Sequence, residues 1–181
     1  IAELLLDNGA EVDAKNKREE TPLFCAIIDE NIEMIQFLLS KGADVNTTVY
    51  DRSCIIPSSD SYYNSCGCKK NFIHHTKSIK ILEILFQHGA DVNKKDGSYL
   101  TLLYYAETVE YAQFLVSKGA YVNARNFQNL TPLHYIINKN GDEAKTIEMA
   151  DFLLNNGADV NVKDKDDNTP LHLSKSTKMT R

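Results

Sequence analysis

Five side chains with the chemistry to hold a soft metal ion crowd one stretch: Cys54, Cys66, Cys68, His74 and His75. Thiolates and imidazoles together bind zinc tetrahedrally. The spacing here is CxC followed by two adjacent histidines, which is not a standard zinc pattern, and adjacent side chains are awkward for one ion. Zinc is therefore the subordinate reading. Free thiols and surface histidines are the simpler one, and no metal or other cofactor is expected. A Cys–His nucleophilic pair would need an orienting third group and an oxyanion site, and the sequence marks neither. Two further histidines, His134 and His172, close the matching phrases Thr131-Pro132-Leu133-His134 and Thr169-Pro170-Leu171-His172. The sequence carries no Gly-rich phosphate loop, paired acidic site or metal-helix motif. The expectation is a protein that is not an enzyme.

The elements that would position these residues are legible from repetition. The phrase IEMADFLLNNGADVNV from Ile147 recurs in variant form from Ile1, Ile32, Ile79 and Val109. Its marker glycines, Gly9, Gly42, Gly89, Gly119 and Gly157, are spaced 33, 47, 30 and 38 positions apart. Self-similarity on this scale marks a repeat architecture. Within Ile32–Ser40 the polar residues Glu33, Gln36 and Ser40 form one narrow stripe and the rest is apolar. Such a helix must be covered on three sides, wider than the apolar face of an ordinary surface helix. Glycine then ends it in a left-handed conformation, and Val45 and Val160 are expected to plug the next core layer. Nine residues after a valine come Thr21-Pro22-Leu23-Phe24 and the two TPLH phrases, with Thr101-Leu102-Leu103-Tyr104 as a weaker copy. Threonine caps a helix and proline suits its first position, so each phrase predicts the start of a first helix.

On these two motifs the chain resembles the ankyrin repeat family. The resemblance implies an all-α repeat solenoid of stacked helix-turn-helix units joined by β-turn or hairpin loops. It would be one domain over 1–181: a partial repeat 1–14, repeats 15–46, 47–93, 94–123 and 124–161, and a partial repeat 162–181. In 47–93 the first helix is expected at Cys54-Ile55-Ile56-Pro57. An excursion of about 55–77 would follow between the two helices, with a short extra helix near Phe72–His75. The resemblance gives the TPLH histidine a local role tying neighbouring turns, a tie expected to be absent at Phe24 and Tyr104. The family's turn-tip glycine is replaced by Glu19, Arg52, Tyr99, Asn129 and Asp167. Asn129 and Asp167 tolerate positive φ; the other three should strain or change their turns. Cys25 is expected to be a small core residue. Asn46, Asn93, Asn123 and Asn161 resemble positions hydroxylated in some members.

The 181 residues carry a formal net charge of −5 and a pI near 5.5, which disfavours a nucleic-acid surface. No apolar run reaches membrane-spanning length. The four cysteines do not read as a disulfide framework, so a reducing intracellular compartment, cytoplasmic or nuclear, is expected. Further repeats are expected beyond at least one end. By resemblance, a protein partner would lie along the concave face of turn tips and first helices. The residues that map there include Lys17, Arg18, Tyr50, Leu100, Arg125, Phe127 and Leu130, with Ser98, Gln128 and Lys165 between and beside them. Aromatics and arginine are enriched at binding hot spots; the plainer alternative is that Phe127 and Leu130 pack on adjacent turns. The function expected is that of a scaffold or adaptor, monomeric in isolation. The alternatives are a metal- or redox-responsive module built on the Cys/His insertion, or the targeting arm of a longer enzyme or ubiquitin-ligase adaptor.

Overall fold

The computed structural model describes residues 1–50, 69–139 and 142–174. Its contacts cluster into two compact units, Ile1–Gly97 and Ser98–Arg181. In the first unit, α1 (Ala2–Asp7), α2 (Pro22–Ile28), α3 (Ile32–Ser40) and α4 (Ile79–Gln87) are α-helices. Strands β1 (Thr48–Tyr50) and β2 (Lys69–Asn71) precede the 3-10 helix η1 (Phe72–His75). In the second unit come the 3-10 helix η2 (Leu102–Tyr105), then α5 (Val109–Ser117), α6 (Pro132–Asn138), α7 (Glu143–Asn155) and α8 (Pro170–Leu173). Residues 1–7 are thus already helical apart from Ile1, as the repeat phrase requires.

Helix starts follow capping chemistry. The Thr21 hydroxyl accepts from the Phe24 N–H at 3.3 Å, and Asn31, Ser78, Thr108 and Asp142 cap α3, α4, α5 and α7 in the same manner. At the other end, Gly42 takes φ +87° and Gly157 φ +87°. There the next residue's N–H reaches back into the helix, as from Ala43 to the Leu38 carbonyl and from Ala158 to Leu153. Within the second unit the first helices η2, α6 and α8 pack in a row, and the second helices α5 and α7 contact each other behind them. This is the ankyrin-like, mostly helical stack that the repeat phrases imply. The core follows the pattern: Ile35, Leu38 and Leu39 are buried on α3 while Glu33, Gln36 and Ser40 are exposed.

The long repeat differs from the expectation in one respect. Asn71 caps η1, its side chain accepting from the Ile73 N–H at 3.2 Å, so Asn71-Phe72-Ile73-His74 fills the place of Thr21-Pro22-Leu23-Phe24. The helix near Phe72–His75 is the first helix itself, not an extra one. Strands β1 and β2 pair antiparallel, Val49 opposite Lys70, where regular repeats pair Asn16 with Glu20, Asn126 with Leu130 and Asp164 with Asn168. The added chain therefore grows from the turn, before both helices, rather than between them. The glycine spacings then follow. Val49 and Lys70 are 21 positions apart where Asn16 and Glu20 are four, a gain of 17. Asn71 precedes Ile79 by eight where Thr21 precedes Ile32 by 11, a loss of three. The net 14 turns 33 into 47, and the same loss between Thr101 and Val109 turns 33 into 30. Cys54, Arg52 and most of the expected excursion lie outside the described residues.

Two core expectations fail. Cys25 is exposed, on a face of α2 that lines an apolar groove of about 380 Å³ with Leu5, Leu6 and Met34. Val45 is buried as expected, but Val160 is 49% exposed.

The turn tips show the strain foreseen for them. Glu19 (φ +63°) and Tyr99 (φ +60°) are left-handed, as are Asn129 (φ +58°) and Asp167 (φ +62°). A left-handed backbone costs a residue with a Cβ about 1–2 kcal/mol. Replacing Glu19 by glycine removes that cost, with some offset from glycine's greater freedom in the unfolded chain. The ion pair lost with it, Lys15 to Glu19 at 3.3 Å, is solvent-exposed and of little weight. Glu19→Gly is expected to stabilise the fold by about 0.5–1 kcal/mol. Urea denaturation reads this directly, and a lower midpoint would show that the turn is not strained.

Candidate functional site

Three of the turn tips are closed from within by an Asx side chain. The Asn126 Oδ1 accepts from the Gln128 N–H (2.9 Å) and the Leu130 N–H (3.0 Å). The Asp164 Oδ1 does the same for Asp166 (2.9 Å) and Asn168 (2.8 Å), and Asn16 for Arg18 (2.7 Å) and Glu20 (3.1 Å). At Asp164 desolvation is the largest single influence and acts to raise the carboxyl pKa. The hydrogen bonds from Asn168 and Asp166 outweigh it and lower the pKa below the usual carboxylate range. Successive tips in the second unit are joined by the Lys165 N–H donating to the Gln128 carbonyl at 2.9 Å.

On this frame Phe127 lies against Tyr99, ring centroids 3.8 Å apart and planes inclined by 36°. Both rings remain solvent-accessible, Tyr99 at 46% and Phe127 at 43%. Phe127 thus packs on an adjacent turn, the plainer of the two sequence alternatives, while staying half exposed. Leu100 and Leu130 flank the pair in sequence and are half-buried, and Arg125 is exposed. Tyr99 was not among the expected partner-facing residues. Its signal lay in its place: an aromatic where the turn wants glycine is a costly choice for folding alone. Lys17 and Arg18 are exposed on the tip of the first unit. The side chain of Tyr50 lies outside the described residues.

The histidine position also behaves differently from the expectation. His134 is fully buried. Its Nδ1 accepts from the Thr131 N–H at 3.2 Å, which leaves the proton on Nε2 to donate to the Asn168 carbonyl at 3.3 Å. Tyr104 reaches the equivalent carbonyl of the following repeat. Its hydroxyl lies 2.5 Å from the Leu130 carbonyl oxygen and 2.6 Å from that of Ala124. The tie expected to be absent at Tyr104 is present, made by a phenol in place of an imidazole. Desolvation by burial raises the Tyr104 pKa far above the ordinary phenol value, against smaller opposing effects of Asn126 and Arg125. At Phe24 the position is apolar, the ring packing on Phe72 (5.6 Å) and edge-to-face on His75 (5.0 Å).

Asn123, a position the resemblance links to hydroxylation, is engaged at both ends of its amide. Nδ2 donates to the Gly157 carbonyl at 2.8 Å and Oδ1 accepts from the Asp159 N–H at 2.9 Å. In the first unit Asp13 accepts from the Asp44 N–H at 3.1 Å, and Asn46 donates to the Gly89 carbonyl at 3.4 Å. These side chains clasp one repeat to the next. For metal binding, His74 and His75 belong to η1, whereas Cys54, Cys66 and Cys68 lie outside the described residues. Among the described residues no group of three or more His, Cys, Asp or Glu could hold a metal ion, and no helix is long and apolar enough to cross a membrane.

A family model for ankyrin repeats, in three copies, matches residues 1–49 and 72–164. Its gap coincides with the chain added at the turn of the long repeat. Among curated proteins, the chain is similar to the ankyrin repeat protein FPV244 of fowlpox virus (strain NVSL). The two are 36% identical over 121 residues, covering 59% of this chain and 18% of the relative. It is also similar to the ankyrin repeat protein FPV231 of the same virus, 46% identical over 46 residues, covering 25% of this chain and 18% of the relative. The chain thus spans less than a fifth of the length of either.

Proposed function

Because the chain belongs to the ankyrin repeat family, we propose that it is a non-enzymatic scaffold or adaptor whose protein partner rests on the turn tips of residues 98–100 and 125–130. The family consists in general of protein–protein interaction modules. The observation that carries the finer reading is the Tyr99–Phe127 stack: two aromatic rings on turn tips, half exposed, one of them on a left-handed backbone. Backbone strain of this kind persists where it serves a purpose beyond stability. The Asx-closed tips supply the mechanism, since a preformed surface lowers the ordering cost of association. The anchor residues in this reading are Tyr99, Phe127, Leu100, Leu130 and Arg125, and Lys17 and Arg18 supply contacts on the first unit. The net charge of −5 favours a protein over a nucleic acid as partner. A module of this kind works as a monomer in an intracellular, cytoplasmic or nuclear setting. A targeting arm within a longer polypeptide would use the same surface.

Phe127→Ala is expected to weaken partner capture roughly tenfold or more, the scale of a hot-spot aromatic, while the thermal transition stays close to that of the wild type. Pull-down with wild type, Phe127→Ala and the Arg125→Ala/Phe127→Ala double variant reads both properties. Undiminished capture by the folded variants would remove this surface from the account.

A further inference from the structure

Resting on that reading, we infer that Tyr104 is a positioning residue for the binding surface: its buried hydroxyl sets the tip of 125–130 against the tip that carries Tyr99. Tyr104 is 2% exposed, so it acts without touching a partner. Ala124 and Leu130 are the two stems of the second tip, each three positions from Phe127. The phenol oxygen lies between their carbonyls, at 2.6 Å and 2.5 Å. Tyr104 itself follows Tyr99 by five positions on one segment. The two tips are thus joined twice, by the ring stack across them and by the hydroxyl at the stems. Either contact alone leaves one tip free to pivot on the other; the two together hold Phe127 in place.

Local stability is a poor reason for this phenol. At the same place in the next repeat His134 divides its ring, Nδ1 serving its own cap Thr131 and Nε2 reaching the Asn168 carbonyl. The result is a capping box on α6, repeated by Thr169 and His172 on α8. With the phenol, η2 has no side-chain cap bond and the Thr101 hydroxyl is buried without a partner. The Leu130 carbonyl already holds the Asn126 N–H, so the phenol rescues no orphan there. Departures from local rules that cost the fold gather where function calls for them. Two fall in this one repeat, Tyr99 on a left-handed backbone and Tyr104 in the histidine place. Both act on the tip that carries Phe127.

The test compares Tyr104→Phe, Tyr104→His and Leu115→Ala in the isotope-labelled chain, read by amide shifts and by Overhauser contacts between the Tyr99 and Phe127 rings. Leu115 is completely buried on α5, so Leu115→Ala loosens the same unit and leaves the tie intact. In Tyr104→Phe the ring contacts should weaken and the shift changes gather at 98–100 and 124–130. Tyr104→His should restore the contacts, as His134 reaches the equivalent Asn168 carbonyl at 3.3 Å. Folded Leu115→Ala should keep them. Binding is read in cells with a photo-crosslinking phenylalanine analogue at position 127. The yield of its protein adduct should fall roughly threefold or more in Tyr104→Phe, because the tip spends less time in its competent position, and recover in Tyr104→His. Ring contacts unchanged in Tyr104→Phe, or lost equally in folded Leu115→Ala, overturn the positioning role. An adduct that forms from position 127 and is indifferent to Tyr104→Phe also overturns it, and leaves the surface standing. If no adduct forms from position 127, the surface reading fails and this inference fails with it.

Discussion

Leu115→Ala should destabilise the Ser98–Arg181 unit by about 2–5 kcal/mol, the range for deleting a buried leucine side chain. Leu115 is completely buried on α5, which contacts both η2 and α7. The helix packs against the first helix of its own repeat and the second helix of the following one, so removing a fully buried side chain from it is expected to leave a cavity. Gln113 lies two residues away on the same helix and is exposed. Gln113→Ala should stay within about 0.5 kcal/mol of wild type, as surface substitutions do. Urea unfolding of the two variants side by side makes the contrast. Equal effects would mean that α5 is not packed between neighbours.

Tyr104→Phe should cost about 1–3 kcal/mol, because it removes the one hydroxyl proton placed between the Ala124 and Leu130 carbonyls, of which Leu130 keeps the Asn126 N–H as a donor. Tyr104→His should cost less. An imidazole at this position would bond the Thr101 hydroxyl, which is buried without a partner, as His134 bonds Thr131 at 2.9 Å. A pH dependence goes with the phenol. The folded pKa of Tyr104 is raised above the ordinary value of 10.0. Its contribution is therefore whole below about pH 10 and declines as pH rises beyond it, where the unfolded phenol ionises first. Tyr104→Phe should flatten this alkaline loss without abolishing it, since desolvation also pushes Tyr111 up to about 12. A Phe variant as stable as wild type, with an unchanged alkaline slope, would show that the hydroxyl ties nothing.

The parts of the fold written in repeated residues were legible in advance. Period and helix stops can be read from Gly9, Gly42, Gly89, Gly119 and Gly157 because the left-handed stop depends on one residue type. The polar stripe Glu33, Gln36, Ser40 can be read because helical geometry fixes which residues share a face. The long repeat was harder for a local reason. Counting nine residues from Val45 reaches Cys54, but the true cap is Asn71, displaced by the 17 residues added at the turn. A cap needs only an oxygen-bearing side chain followed by an apolar turn, so asparagine serves as well as threonine. The Tyr104 tie is not legible from residue type alone. What the position requires is a donor that reaches the carbonyl preceding the next cap, and a phenol meets that need from further away. Cys25 and Val160 show the limit of periodicity: it says which way a side chain points, while burial depends on whether a neighbour is there to cover it. Among the residues proposed to bind, Phe127 and Arg125 stand out by type, whereas the sequence marks Tyr99 only as a strained turn. Its place in the proposed surface follows from the Phe127 ring lying against it.

The aromatic pair on the turn tips is proposed as the place where a protein partner rests. Replacing Phe127 with a photo-crosslinking phenylalanine analogue, in cells that express the protein, tests it most directly, with the same analogue at the exposed Gln113 of α5 as control. A discrete protein adduct from position 127, missing from position 113 and lost when Tyr99→Gly is added, is the predicted result. Adducts of equal yield from both positions, or none from 127, would contradict it.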